Sequence, residues 1–196
     1  MTMVLATRNA HKVREFAGLL GGIPVRALPD EVELPPETGD TFAANALVKA
    51  RTAAAATGGP AFADDSGVEA AALGGAPGVR SARFAGEDAT DAENLARLRR
   101  EAPPGSALRY VCVIAYVDGP EERLFEGTCT GTLAPEPRGT GGFGYDPVFL
   151  PDDVSDGRTM AELAAEEKDA ISHRGRAARA LRAWLEERVA GPGGLR

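Results

Sequence analysis

Residues 108–117 read LRYVCVIAYV and residues 124–133 read LFEGTCTGTL, and these two stretches carry the clearest strand signal in the chain. Both are rich in β-branched and aromatic residues, and the polar segment 118–123, DGPEER, separates them. Two such runs joined by a short segment containing Gly and Pro are typical of a β-hairpin. The strands of a hairpin are antiparallel, so the sheet that contains them is not wholly parallel.

Strands and helices alternate in the first part of the chain. A short apolar run at residues 3–7 precedes a helical pattern, and residues 24–28 can form a second strand. Residues 41–57 favour a helix with Thr41 as its cap, and residues 61–63 are a brief strand. Together with the hairpin, this alternation predicts an α/β fold with a mixed twisted sheet flanked by helices.

Helix-start signals organise the rest of the chain. Thr90-x-x-Glu93 and Thr159-x-x-Glu162 are capping boxes, and each predicts a helix. Ser172 is expected to cap a last helix, whose apolar face has Leu181, Trp184, Leu185 and Val189. We expect a single domain over residues 1–196, with residues 191–196 as a flexible tail.

Composition excludes several classes of protein. The 196 residues include 22 basic and 29 acidic side chains, a net charge of −7, which argues against a nucleic-acid partner. The longest apolar stretch, residues 110–117, is far shorter than the roughly 18–20 residues of a membrane span. Residues 1–9 lack the pattern of a signal peptide, so we expect a cytoplasmic protein with no membrane partner. Cys112 and Cys129 lie in strands without a CxxC spacing, which favours buried thiols.

Two polar clusters follow the first and third predicted strands. Residues 7–12, TRNAHK, combine a helix start with Thr, Asn and Lys donors, which is typical of a phosphate site; an ordinary capped surface helix is the alternative. Residues 64–67, DDSG, place two carboxylates where Mg²⁺ could bind together with substrate phosphates; an Asp-Ser-Gly turn is the alternative. Glu37 is a candidate additional ligand, or else a solvated loop acid.

Two further clusters lie toward the C-terminus. Residues 141–146, GGFGYD, let the backbone approach a ligand and offer an aromatic surface for a base, or form a bulged loop with two core aromatics. Lys168, His173 and Arg174 crowd a helix start, where cations are normally disfavoured, and this points to an anionic or polar ligand. The chain's only lysines, Lys12, Lys49 and Lys168, all lie in or beside these polar clusters.

With these residues assembled, the chain resembles the inosine triphosphate pyrophosphatase family, which includes the bacterial dITP/XTP pyrophosphatases. The resemblance extends from Ala6 to about Arg176 and rests on ordered segments rather than on one motif. Those segments are Thr7-Arg8-Asn9-x-x-Lys12, Glu37-Thr38-Gly39-x-Thr41-Phe42, Asn45-Ala46-x-x-Lys49-Ala50, Asp64-Asp65-Ser66-Gly67, Gly74-Gly75-Ala76-Pro77-Gly78, Ser81-Ala82-Arg83, Gly141-Gly142-Phe143-Gly144-Tyr145-Asp146-Pro147 and Ser172-His173-Arg174.

This resemblance implies an enzyme, a Mg²⁺-dependent hydrolase that converts ITP, dITP or XTP to the nucleoside monophosphate and pyrophosphate. It also implies two lobes with a central cleft and a homodimer. The catalytic proton acceptor would be Asp65, and the metal would be held by Asp65, Glu37 and Asp64. The substrate-binding residues would be Thr7, Arg8, Asn9, Lys12, Lys49, Ser66, Phe143, Gly144, Tyr145, Asp146, Lys168, His173 and Arg174. A non-catalytic nucleotide sensor and a pyrophosphatase for ordinary or methylated nucleotides stay open as alternatives.

Overall fold

The computed structural model describes residues 2–190, and within them six strands form one sheet in the order β2-β1-β3-β4-β5-β6. The strands are β1 (Met3–Leu5), β2 (Val25–Ala27), β3 (Ala61–Ala70), β4 (Ala107–Asp118), β5 (Glu121–Leu133) and β6 (Phe149–Pro151). Strand β1 pairs in parallel with both β2 and β3, whereas β5 pairs antiparallel with β6. The mixed sheet and the α/β class are therefore confirmed.

Helices connect or follow these strands. They are α1 (Ala10–Leu19), α2 (Phe42–Thr57), α3 (Asp91–Glu101), α4 (Ala165–Ile171) and α5 (His173–Ala190). Short 3-10 turns lie at Ala71–Leu73, Gly78–Arg83, Asp146–Val148 and Met160–Glu162. In the part of the chain that the structure describes, no helix has the length and apolar character needed to cross a membrane.

The described chain divides into two compact units. Among the described residues, unit 1 comprises 2–65, Val113–Gly127 and 175–190, and unit 2 comprises Ser66–Cys112 and Thr128–Arg174. Two compact units agree with the two lobes that the resemblance implies. The central cleft and the single domain over residues 1–196 stay predictions.

Small residues build the core of unit 1. Alanines of α2 pack against alanines and valines of the neighbouring strands, so that helix and sheet approach closely. The cluster contains Val4, Ala6, Leu28, Ala46, Ala50, Ala53, Ala61, Ala63, Ala115 and Val117. Beside it, the rings of Phe16 and Phe62 meet edge to face with centroids 5.4 Å apart. This packed layer lies against α2 and β3, which carry polar side chains described below.

Larger side chains build the core of unit 2. It contains Val68, Ala70, Leu98, Ala102, Leu108, Tyr110, Cys129, Leu133, Ala134, Tyr145, Val148, Phe149, Met160 and Leu163. Cys112 and Cys129 are both buried free thiols, as expected.

The expectation of a brief strand at residues 61–63 was wrong, because β3 continues to Ala70. Asp64, Asp65 and Ser66 therefore lie inside a strand and not in a turn after it. Asp, Ser and Gly have low strand propensity, but β3 is an interior strand with neighbours on both sides, and backbone pairing there outweighs local preference. As a result both aspartates are buried and their orientation is set by the sheet.

The two capping boxes have different outcomes. Thr90 and Glu93 cap α3 reciprocally, as predicted. The Glu162 carboxylate accepts a hydrogen bond from the Thr159 N–H at 2.8 Å, but the Thr159 hydroxyl donates to the Arg138 carbonyl at 2.9 Å. Only the 3-10 turn Met160–Glu162 follows, instead of a helix. On α5, Leu181 and Leu185 are buried as expected and Trp184 is partly buried. The side chain of Val189 and the proposed tail at 191–196 lie outside the described residues.

Replacing Phe62 should test how much the buried core of unit 1 contributes to the stability of the fold. Phe62 is fully buried, so Phe62→Ala should destabilise the fold by about 3–5 kcal/mol through lost burial and a cavity. Leu124→Ala is the control, since Leu124 is 48% exposed. Urea denaturation followed by circular dichroism measures both, and equal losses of stability would contradict the assignment of Phe62 to the core.

Candidate active site

The junction of β1 and α1 forms the first predicted cluster. Asn9 is the N-cap of α1, and its side-chain oxygen accepts hydrogen bonds from the backbone N–H of His11 at 2.9 Å and of Lys12 at 3.3 Å. The Thr7 hydroxyl accepts one from the Asn9 N–H at 3.2 Å. Thr7 and Asn9 thus shape a helix N-terminus, the kind of backbone that attracts anions.

Arg8, in the same loop, contacts the chain itself. Its guanidinium donates to the carbonyls of Leu28, Pro29, Asp30 and Val32 at 2.6–3.2 Å. These bonds fasten the β1–α1 loop to the segment after β2. Arg8 therefore has a structural role that the sequence did not indicate, and its contact with substrate stays a prediction.

Acids and lysines from separate segments meet in unit 1. The Lys12 ammonium lies 3.0 Å from the Asp64 carboxylate. Lys49, on α2, donates hydrogen bonds to the Glu37 carboxylate and, at 2.6 Å, to the backbone carbonyl of Asp64. Glu37, for which the sequence left open an additional ligand and a solvated loop acid, is therefore part of the same cluster as the aspartates of β3. We call Lys12, Glu37, Asn45, Lys49, Asp64 and Asp65 the acid–lysine cluster.

The buried lysine of this cluster stays charged. Burial by itself lowers the pKa of Lys49, but the negative charges of Asp64, Glu37 and Asp65 and the hydrogen bond to Glu37 outweigh it and raise the pKa above the ordinary value. Lys49 is only 7% exposed. It therefore supplies a fixed positive charge in a largely desolvated place.

For Asp65, burial outweighs the attraction of the neighbouring lysines in setting the pKa. It is 4% exposed, and burial together with the charge of Glu37 raises the pKa of its carboxyl. Lys49, a hydrogen bond from Asn45 and Lys12 pull the pKa down again, but only in part. A buried carboxylate whose pKa lies above the ordinary value is a better proton acceptor than a solvated one.

The donor set of this cluster fits a hard cation. Glu37, Asp64 and Asp65 offer carboxylate oxygens, which are the ligands that Mg²⁺ prefers. Among residues 2–190, however, no group of three His, Cys, Asp or Glu side chains is arranged to hold a metal ion. Magnesium commonly binds through one or two carboxylates plus phosphates and waters, so a preformed protein cage is not required. Metal binding by these three acids stays a prediction.

In unit 2, the predicted residues of the glycine loop and the last helices gather around Asp146. The Asp146 carboxylate accepts hydrogen bonds from the Lys168 ammonium at 2.9 Å, the Phe143 N–H at 3.0 Å and the Tyr110 hydroxyl at 3.1 Å. Burial and the charge of Asp146 raise the pKa of Tyr110, so the phenol remains a donor. Asp146 is thereby held in one orientation.

Cations and rings surround this carboxylate. The Lys168 ammonium lies 5.2 Å and the Arg174 guanidinium 5.5 Å from the centre of the Phe143 ring. Arg174 also donates to the Ser66 hydroxyl at 2.9 Å. The His173 ring stacks on Tyr110 with centroids 4.5 Å apart. We call Ser66, Tyr110, Phe143, Asp146, Lys168, His173 and Arg174 the aromatic–cation cluster.

The remaining loop residues anchor the backbone. The Gly144 N–H donates to the Asp91 carboxylate at 2.8 Å, which links the loop to the first residue of α3. The Tyr145 hydroxyl donates to the Ser81 carbonyl at 2.7 Å, and its ring is buried. Tyr145 is thus a packing residue here, the alternative that the loop composition left open, and its substrate contact stays a prediction.

Sequence reasoning missed two side chains. Asn45 hydrogen-bonds Asp65, and the signal was present, since a polar residue lies between the buried Phe42 and Ala46 of an apolar helix face. Tyr110 contacts both Asp146 and His173. In the sequence it is one residue of an apolar strand, with no polar neighbour to mark it as a site residue. No single-sequence pattern distinguishes such a tyrosine from core.

Comparison with known proteins gives consistent matches over most of the chain. Residues 3–184 match the family model described as Ham1 family. The dITP/XTP pyrophosphatase of Geobacillus kaustophilus is 49% identical, with 97% of each chain covered. That of Symbiobacterium thermophilum is 53% identical, with 94% of this chain and 97% of the relative covered.

Solved structures agree. A HAM1 protein from Coxiella burnetii superposes with a TM-score of 0.84 at 44% identity, covering 95% of this chain and 99% of that one. The Ham1 protein of Staphylococcus aureus has a TM-score of 0.81 at 36% identity, covering 95% and 98%.

Two glycines of the 141–146 loop provide a matched test of the aromatic–cation cluster. Gly142 and Gly144 both have positive φ, 71° and 63°, so alanine strains both backbones alike. A Cβ on Gly142 would overlap the Asp146 carboxylate, whereas one on Gly144 meets nothing within 4 Å. Gly142→Ala should therefore cost at least about 1 kcal/mol more stability than Gly144→Ala. Thermal unfolding measures the difference, and equal costs would argue against the close approach.

Proposed function

Because the chain belongs to the Ham1 family, we propose that it hydrolyses the non-standard purine nucleoside triphosphates dITP, ITP and XTP to the nucleoside monophosphate and pyrophosphate. Relatives at about half identity over nearly the whole chain carry the name dITP/XTP pyrophosphatase, which supports this substrate class. The single observation in the structure that carries the proposal is the buried Asp65 carboxylate with Lys12, Lys49 and Glu37 around it.

The reaction needs a base. A water molecule attacks the α-phosphorus, the bond between that phosphorus and the α,β-bridging oxygen breaks, and pyrophosphate leaves. Asp65 would accept the proton of the attacking water, since burial and the Glu37 charge raise its pKa toward the working pH. Its neighbours on β3 and α2 hold it in a desolvated position, where a carboxylate gains basicity.

The leaving pyrophosphate needs its charge neutralised. Lys12 and Lys49 would bind the phosphates, because both are ammonium groups within the cluster and Lys49 stays protonated. Thr7 and Asn9 shape the start of α1, whose backbone N–H groups favour an anion. A phosphate that reaches Lys12 would compete with its ion pair to Asp64 and so release that carboxylate.

We assign Mg²⁺ to the carboxylates of Asp65, Glu37 and Asp64. A bound Mg²⁺ supplies charge neutralisation at the phosphate oxygens. The oxygen chemistry of the three side chains supports this assignment. Asp64 would take part once its ion pair with Lys12 opens, whereas Glu37 would exchange its hydrogen bond from Lys49.

The base and sugar are assigned to the aromatic–cation cluster. The Phe143 ring offers a surface for stacking, and Lys168, His173 and Arg174 offer donors for a 6-keto oxygen. Those donors have no match in the 6-amino group of ATP, a mismatch worth on the order of 10⁴–10⁵ in specificity when the site is buried. Arg8, Ser66, Gly144, Tyr145 and Asp146 complete the proposed substrate contacts.

The assembly and location that we propose are a homodimer in the cytoplasm with no nucleic-acid or membrane partner. The net charge of −7 supports the absence of a nucleic-acid partner, because a phosphate backbone binds basic surfaces. Light scattering on the purified protein measures the oligomeric state directly. A monomer at micromolar concentration would contradict the dimer and leave the proposed reaction untouched.

A substrate panel tests the proposed function. With Mg²⁺, the purified protein should release pyrophosphate from ITP, dITP and XTP at least about 100-fold faster than from ATP, as the donor mismatch at the 6-amino group permits. It should also act on these three faster than on CTP and on GTP, which has the same 6-keto oxygen and differs from ITP at its 2-amino group. Pyrophosphate and orthophosphate are measured separately. Orthophosphate as the first product would mean cleavage at the γ-phosphate, comparable rates on all substrates would remove the specificity, and ITP binding without product would favour a sensor.

Asp65→Asn tests the base. The amide cannot accept the proton, so kcat for ITP should fall by about 10²–10⁴ while ITP binding, measured by calorimetry, changes little. The control is Asp40→Asn, an exposed acid just before the cap of α2, which should keep the wild-type rate. Turnover within a factor of about three of wild type in Asp65→Asn would remove Asp65 from its proposed role.

A further inference from the structure

Asn45 is buried between the loop before α2 and strand β3, and its amide contacts both. Its side-chain oxygen accepts a hydrogen bond from the Gly39 N–H at 2.8 Å, and its Nδ2 donates to the Asp65 carboxylate at 2.8 Å. The partners determine the orientation of the amide, because a backbone N–H requires the oxygen and a carboxylate requires the nitrogen. Flipping the amide would break both bonds.

The loop backbone packs directly on this amide. A Cβ on Gly39 would lie 2.7 Å from the Asn45 side-chain oxygen, closer than real Cβ contacts, and 3.0 Å from the Ala44 Cβ, tighter than most of them. A side chain at position 39 would therefore displace the Asn45 amide. The Gly39 backbone thus packs tightly against the buried Asn45 side chain as well as donating a hydrogen bond to it.

The next turn of α2 repeats the arrangement. Lys49 follows Asn45 by one helical turn and shares its face. It donates to Glu37 in the same loop and to the backbone carbonyl of Asp64 in the same strand. Two successive turns of one helix thus join the loop of residues 37–39 to residues 64–65 of β3, one through a charge and one through a neutral amide.

We propose that Asn45 is a positioning residue for the reaction, one that orients the Asp65 carboxylate and fixes it relative to the Glu37 loop; this rests on the proposed function. An amide suits this task because it holds both groups without adding charge. The effect on catalysis comes through orientation, since a misplaced reacting group can cost about 100-fold in rate.

Asn45→Asp and Asn45→Ala separate the two contacts. The aspartate keeps an oxygen for the Gly39 N–H but puts a like charge against Asp65, whereas the alanine loses both bonds. Asn94→Asp and Asn94→Ala are matched controls in unit 2. Asn94 is equally buried, accepts from the Ala85 N–H at 2.7 Å and donates to the Ala82 carbonyl at 3.0 Å.

The kinetic readout is the split between kcat and KM for ITP. Both Asn45 variants should lose about 10–100-fold in kcat. Asn45→Ala adds no charge beside the phosphate-binding lysines and should keep KM within about threefold of wild type, because orientation and not phosphate binding is lost. The Asn94 variants should lose thermal stability to a similar extent but keep kcat within about threefold of wild type. If the variants at Asn45 and at Asn94 lose the same kcat for the same loss of thermal stability, Asn45 is merely structural and the inference is overturned.

A second readout does not depend on turnover. Hydrogen exchange of the Gly39 amide should be about tenfold faster in Asn45→Ala but near wild type in Asn45→Asp. Unchanged exchange in Asn45→Ala overturns the inference. If the wild-type protein releases no pyrophosphate, the proposed function fails. Hydrogen exchange of the Gly39 amide then still tests whether Asn45 holds the Glu37 loop. If Asn45→Ala does not fold, Asn45→Asp with Asn94→Asp decides the kinetic part.

Discussion

The burial of two adjacent aspartates inside β3 is the constraint on which the rest of unit 1 depends. A buried carboxylate is costly unless opposite charge or donors surround it. Lys12 from α1, Lys49 and Asn45 from α2 supply these groups, so both helices must lie where they do. The alanines that let α2 pack closely against the sheet follow from the same requirement.

Unit 2 also contains a buried carboxylate, but different groups stabilise it. Asp146 is buried there, and a lysine, a backbone N–H and a tyrosine hydroxyl satisfy it. Unit 2 adds aromatic rings to its charges. The Phe143 ring lies beside the cations of Lys168 and Arg174, and the Tyr110 ring stacks on His173. Charge dominates one cluster and ring surfaces dominate the other, which agrees with the proposed division between phosphates and base.

Sequence patterns predicted elements well where the signal was local. The hairpin strands, the Thr41 and Thr90 caps and the helices α1, α2 and α3 depend on residues a few positions apart, and all are present. The extent of β3 and the fate of the Thr159 box depend on partners far along the chain, and both were missed. Arg8 shows the same limit, because its carbonyl partners lie after β2.

The sequence by itself determined which chemical groups this protein can use, because its carboxylates, lysines and glycines occur in ordered polar segments. Only the tertiary structure decided how these groups act. It buried Asp65 beside Glu37, raised its pKa, and brought the Asn45 amide to it across twenty positions of chain. The physical reason is that burial and charge pairing are properties of packing, which no spacing along one chain specifies.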